Sequence, residues 1–228
     1  MPERLFALQL VAIGTLVGLY AATKFLHVLG GHDYLFGLAY LLDLDRETNV
    51  PAAYSMMVIL ANAGLLALIA ALYLSRRRPG AWFLFFLALV FLFLAYDEAF
   101  SVHERIARVL RDLMGSQRPL HLTWTGVGFA FAAIVALASS RFLLRLPKRT
   151  RGFMVLSGAI FVAGAVGFEV LGGFRQEKVL SVPSNPDPVY FALMTVEESL
   201  EMLGMALFNY TLLDHIRSEF GRFTFQLS

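Results

Sequence analysis

AWFLFFLALVFLFLAYDEAF, residues 81 to 100, decides the fold. Sixteen residues pass from Ala81 to Tyr96 without one charge, and then Asp97 and Glu98 arrive together. A bilayer-crossing helix needs about 20 predominantly apolar residues. The same pattern recurs on both sides of this stretch. Six segments qualify, at about 5–29, 52–74, 81–100, 122–144, 152–171 and 189–213. Composition agrees. AVILMFWYC make up 58% of the 228 residues, charged residues 16%, and Phe alone occurs 21 times. Soluble domains run at about 45–50% apolar and about 25% charged. Mean hydropathy is +0.66. The expectation is an all-α polytopic membrane protein, one domain built as a bundle of six transmembrane helices. Cys is absent, which excludes disulfides, thiolate metal sites and Cys nucleophiles. A net charge of +2 gives no reason to expect nucleic acid, even at a pI near 9.0.

Tyr20-Ala21-Ala22 faintly resembles a signal cleavage site, but the apolar stretch around it exceeds a signal h-region. An uncleaved first helix is expected. Arg76, Arg77 and Arg78 follow the second segment, and Arg141, Arg145, Lys148, Arg149 and Arg151 surround the link after the fourth. The positive-inside rule puts both links in the cytoplasm, and both termini with them. On that count 14 of the 17 acids fall in the outer half. In the outer links, 103–114 carries Ile106, Val109, Leu110, Leu113 and Met114 at helical spacing. It reads as an interfacial amphipathic helix or a bent extension of the third segment. Ser181 to Pro188 reads as an exposed loop. DLDRETNVP, from Asp43 to Pro51, suits the start of the second helix, with Pro in its first turn.

Charges within spans are costly and usually functional. The third span ends in Asp97-Glu98, followed by His103-Glu104. The fifth carries Glu169, and the sixth carries Glu197, Glu198 and Glu201. The first ends in Lys24 and His27. Spans one, three and five run outward and span six runs inward, so all four clusters fall at one depth on the extracytoplasmic side. At about 100° per residue, Asp97, Ser101 and Glu104 share a face of a straight helix. Glu98 and His103 lie about 140° apart, so the helix bends between them or the two serve different partners.

Converging carboxylates in a low dielectric need protons or a cation. His103, Glu198, Glu201, Glu104 and Asp97 are candidate ligands of a divalent iron, manganese or zinc ion. Glu98 and Glu169 are candidate acid–base residues. Other residues have plainer readings: a snorkelling Lys24, a structural His27, and surface positions for His32, His121 and His215. Asn62 and Asn209 read as interhelical hydrogen-bond partners, and Gly14, Gly18, Ala163, Gly164 and Gly167 as close-packing positions. Asp43, Asp45 and Glu47 suit an outer cation site, but read rather as a solvated loop.

DEAFSVHERI, RFLLRLPKRTR, FEVLGG, EESLEMLG and LLDLDRETNVPAAYS together resemble a bacterial family of uncharacterised polytopic membrane proteins, over about 41–214. The resemblance implies that the acids and His103 act as a set, and implies no reaction. The paired His-x3-His of ceramidase-like hydrolases is missing. Three functions follow as expectations: a metal-dependent enzyme on a lipid or other apolar small molecule, a proton- or cation-coupled transporter, or a subunit whose acids pair with a partner. Membrane lipids are the surrounding partner in each case, in the plasma membrane.

Overall fold

A computed structural model describes residues 1–30, 37–114, 120–180 and 187–221. His32, Arg118, Arg222 and the loop 181–186 lie outside them, as does the side chain of His121. The regular elements among the described residues are all helices: α1 Pro2–Gly30, the short α2 Leu38–Leu41, α3 Val50–Ser75, α4 Ala81–Phe100, α5 Val102–Met114 and α6 Leu120–Leu143. A long helix follows, built of α7 Lys148–Val162, a π-helical stretch Ala163–Phe168, and α8 Glu169–Leu180. The last helix is α9, Pro188–Phe220.

Five segments are long and apolar enough to cross a membrane: Pro2–His27, Val50–Ser75, Ala81–Phe100, Thr125–Leu143 and Lys148–Arg175. The chain is a multi-span membrane protein by this measure. The sixth expected span is helical, but its glutamates set it apart from the apolar five. It differs also in place. α9 packs against α1, α3, α7, the π-helical stretch and α8, and it is the hub of the bundle. Met194, Met202, Met205, Ala206 and Leu212 are buried along its length. The outer helices instead present large apolar side chains outward, as Phe129, Ile134 and Leu137 of α6 do. That is the expected surface of a protein solvated by lipid tails.

Contacts fix the directions of the helices. Glu3 meets Arg217 at 2.8 Å and the Phe6 ring lies 5.5 Å from Tyr210, while Lys24 at the far end of α1 sits over the Phe191 ring. α1 is therefore antiparallel to α9. Asn62 meets Asn209 and Tyr73 meets His215, so α3 runs parallel to α9. α4 returns along α3 after a turn at Gly80, whose φ of 99° suits glycine and whose Phe142 neighbour leaves no room for a Cβ. The end of α1, the start of α3, the end of α4 and the first half of α9 thus share one end of the bundle.

Lipid tails are as apolar as leucine, so packing and polar contacts hold the helices together. Small residues let α7 approach α9. A Cβ on Gly204 would meet the Phe161 backbone nitrogen at 2.8 Å and the Ser157 carbonyl at 2.9 Å. Gly164 is equally enclosed, against the Glu197 carbonyl and Glu201. Gly14, Gly18 and Gly167 have open space instead, so their expected close-packing role is not used. His215 also departs from expectation, being 2% exposed inside the bundle. Its hydrogen bond to Tyr73 makes that burial tolerable.

Gly204→Ala is expected to destabilise the bundle by about 1–3 kcal/mol, because rigid backbone meets the new methyl. Gly158→Ala has open space and leaves the thermal midpoint in detergent unchanged or higher. Equal midpoints for the two variants would refute the tight α7–α9 crossing.

A candidate carboxylate–histidine centre

The centre begins with a break. α4 stops at Ser101, which adopts φ 51° and ψ 46°, and α5 starts in a new direction. The Asp97 carboxylate spans the break. One oxygen accepts from the His103 backbone N–H at 2.7 Å, and the other faces His103 Nδ1 at 3.1 Å. The straight-helix face joining Asp97, Ser101 and Glu104 therefore does not form. The bend replaces it, and it lets Asp97, Glu98 and His103 belong to one site. 103–114 is accordingly a separate helix, packed on α6, with Val109 and Leu113 exposed.

The loop before α3 closes on the same place. Asn49 caps α3, its side-chain oxygen accepting from Ala52 N–H at 3.1 Å, with Pro51 in the first turn as expected. Its amide donates back to the Asp43 carbonyl at 2.5 Å. Thr48 takes a φ of 63°, uncommon for a β-branched residue. This folded loop places Glu47 Oε1 3.4 Å from His103 Nε2. His103 thus lies between two carboxylates from two segments. Asp43 receives Lys24 at 3.1 Å and Arg46 at 3.5 Å, and Asp45 receives the Tyr190 hydroxyl at 2.9 Å. The solvated-loop reading is corrected for Asp43, which is buried, and for Glu47, half-buried against His103, while Asp45 stays exposed and receives the Tyr190 hydroxyl. Lys24 is corrected likewise. It does not snorkel outward but sits over the Tyr20 and Phe191 rings with its charge on Asp43.

α8 and α9 supply the remaining acids. The π-helical stretch places Gly164 against the α9 turn that bears Glu197 and Glu201. Such stretches occur often at functional sites. Glu201 interacts electrostatically with Glu198, Glu98, Glu197 and Glu169. Glu198 interacts with Glu98, Glu197, Asp45 and Glu47, and Glu169 with His103. Glu197 is buried, and its Oε2 has no hydrogen-bond partner. Carboxylates from α4, α8, α9 and the loop thus share one electrostatic neighbourhood, as the helix directions required.

Glu104 stands apart. Its side chain is 57% exposed, 4.0 Å from Arg108. With Tyr40, Asp45, Arg46, Glu47, Thr48 and Ser101 it lines an open cavity of about 360 Å³. Glu47 belongs to both this cavity and the His103 clamp, so it joins the outside to the centre. Among the described residues, no three His, Asp or Glu side chains are placed to hold one metal ion. Glu47, Asp45 and Tyr190 are the site residues that sequence reasoning missed. Their signal was the Asn-Val-Pro cap, which ties 43–49 to the helix end where the acids gather.

The charge balance shows in the groups outside the spans. Burial pushes Glu47 up to about 7; Glu104 and Asp97 reinforce this, while His103 and Arg105 oppose it. Crowding by neighbouring protein atoms desolvates the exposed Asp45 enough to raise it to about 6, against the Tyr190 hydrogen bond and Lys24. For His103, burial pulls downward, but the Asp97 hydrogen bond and the charges of Asp97, Glu47 and Glu169 outweigh it and carry it to about 9.

Comparison with known families matches residues 7–216 to a family described as "Domain of unknown function (DUF8692)". The chain belongs to this family. The match covers most of the chain and agrees with the motif combination from DEAFSVHERI to EESLEMLG. No curated protein matches the chain, and no solved structure does. The site's residues therefore carry the functional argument for this DUF8692 member.

The His103 clamp has a pH signature. An imidazole raised from 6.5 to about 9 stabilises the fold fully below pH 6.5, and that contribution is lost as pH rises through about 9. Glu47 has the opposite charge change: its ionisation penalty is absent below pH 4.5 and complete above about pH 7. The thermal midpoint of detergent-purified protein should fall between pH 7 and about 9, a window past most of Glu47's titration. His103→Gln should flatten that fall. An identical fall in wild type and variant would remove His103 from the clamp.

Proposed function

We propose that this chain is a six-span plasma-membrane protein whose carboxylate–histidine centre binds and releases protons in the extracytoplasmic half of the bilayer. α9 is the sixth span in this reading, and both termini are cytoplasmic. At about 1.5 Å per residue its 33 residues extend about 50 Å, more than a hydrocarbon core of about 30 Å. Its direction, parallel to α3 and antiparallel to α1, supports an alternating chain. The basic α3–α4 and α6–α7 links support the orientation.

The observation that carries the proton reading is the clamp of His103 between Asp97 and Glu47, set among Glu98, Glu169, Glu197, Glu198 and Glu201. Among the described residues, Lys24, Arg46, Arg105 and His103 are the cations that act on it, and Lys24 and Arg46 face Asp43. The acids outnumber them. Protonation is the least demanding balance at a site whose acids share a neighbourhood but not a ligand geometry. Glu98 and Glu169 are then acid–base groups, as their position suggested.

A divalent ion is the second reading, favoured by one contact. Asp97 on Nδ1 leaves His103 Nε2 turned toward Glu47, the arrangement in which a carboxylate orients a metal-binding imidazole. His103 and Glu47 would hold iron, manganese or zinc, with Glu198 or Glu201 moving in as a third ligand. A metal-activated water would then act on a lipid or other apolar substrate.

Infrared difference spectra of purified protein across a pH step should show a protonated carboxyl band at neutral pH. Glu198→Gln/Glu201→Gln should reduce it. Elemental analysis of the same samples separates the readings. Near-stoichiometric metal, lost in the double variant, together with no carboxyl band, would replace the proton reading with the metal one. Topology is checked in the naturally cysteine-free chain. Arg108→Cys should react with an impermeant maleimide in intact cells, and Arg77→Cys only after lysis. The reverse pattern inverts the orientation.

A further inference from the structure

Among the described residues, the half of the bundle opposite the carboxylates has its acids, Glu3, Asp214 and Glu219, near its end, yet its interior is not wholly apolar. A seam between α3 and α9 holds buried polar side chains. Asn62, fully buried, donates to the Met205 carbonyl at 3.0 Å, and Asn209 donates to the Asn62 side-chain oxygen at 2.9 Å. Further along, the Tyr73 hydroxyl meets His215 Nε2 at 3.0 Å. Arg78 and Glu219 form an ion pair just beyond, with the Arg78 guanidinium over the Tyr73 ring. Asp214, the other acid acting on His215, is held by Arg149 and Arg217. At about 1.5 Å per residue these stations follow Glu201 along α9 at about 12 Å for Asn209, about 21 Å for His215 and about 27 Å for Glu219. Together they reach the other end of the bundle.

Two atoms in this seam are buried without a hydrogen-bond partner: Asn209 Oδ1 and His215 Nδ1. Their residues are 3% and 2% exposed. Polar atoms so placed are ordinarily satisfied by internal water. Between them lie Leu66, Ile69 and Leu212, which are 0–1% exposed and form an apolar layer. Two wettable stations on either side of a dry layer form a path that opens when water enters that layer.

We propose that the α3–α9 seam carries protons between the carboxylate centre and the opposite membrane face, with His215 as the exchange group of the far half. This rests on the proton-binding reading of the centre. A neutral imidazole accepts a proton at one ring nitrogen and releases one from the other, so His215 passes charge between Nδ1, buried without a partner, and Nε2, facing Tyr73. The Arg78–Glu219 pair closes the far mouth.

The test is proton uptake by liposomes holding the full-length protein and an internal pH-sensitive dye, driven by a potassium diffusion potential. Uptake several-fold above empty liposomes is expected. It should drop to the empty-liposome rate in His215→Leu and in Asn62→Leu, while the carboxyl infrared band persists in both. His215→Gln keeps a hydrogen-bonding group beside Tyr73 without proton exchange, and serves if the leucine variant does not fold; it should lose uptake too. Wild-type uptake at the empty-liposome rate, or His215→Gln at the wild-type rate, overturns the path. If the carboxyl band is present in that case, the proton-binding centre stands alone. If the band is absent from wild type, the centre fails first and the path with it.

Discussion

Three glutamates within five residues of α9 cannot face hydrocarbon, and this one constraint arranges the bundle around them. A charge at the centre of a membrane costs about 2.5–3.5 kcal/mol even on the mildest scales. α9 avoids that cost by taking the middle position, with α1, α3, α7 and α8 as its wall. The wall is apolar on its outside, where lipid tails are the solvent. On its inside α8 supplies Glu169, and α4, α5 and the loop before α3 add Glu98 and the clamp on His103, so the same packing that shelters the α9 acids concentrates more charge beside them.

Concentrating charge required departures from regular helix. A straight α4–α5 helix would have carried His103 away from Glu98, and a regular α7–α8 helix would have met α9 without the local widening at Ala163–Phe168. Ser101 in the left-handed region and the π-helical stretch solve the two problems separately. Both lie at the carboxylate end of the bundle. Thr48, with its positive φ in the loop that bears Glu47, is the third irregularity there. Backbone conformations of this kind cost of order 1–3 kcal/mol and persist where surrounding contacts hold them. Here the Asn49 cap and the Asp97–His103 bonds do so.

The proposed function has this site handle positive charge. Carboxylates face both ring nitrogens of His103, and among the described residues the acids of the centre outnumber the cations acting on them. Glu47 reaches from an open polar cavity to His103, which gives the centre a connection to water on its own side. The Asn62–Asn209 and Tyr73–His215 pairs give the bundle a polar seam on the other. In the proposed reading, the chemistry is tied to where protons can enter, dwell and leave, more than to any single side chain.

Hydropathy and charge order by themselves determined the membrane class, the positions of the apolar helices and the common end at which the acids gather. Those properties follow from residues adjacent in sequence and from the alternation of a chain that crosses and recrosses. Asp97, Glu98, His103, Glu169, Glu197, Glu198 and Glu201 were legible for that reason, as was the Asn49–Pro51 start of α3. Tertiary structure alone decided the rest. It made α9 the hub, because burial depends on which helices surround a segment and not on its own hydropathy. It brought in Glu47 and Asp45, because a loop reads as solvated until the helices it folds against are known. It buried His215, whose partner Tyr73 lies 142 residues away in the chain. Contacts at such separations leave no local pattern, and here they build a polar seam along the bundle.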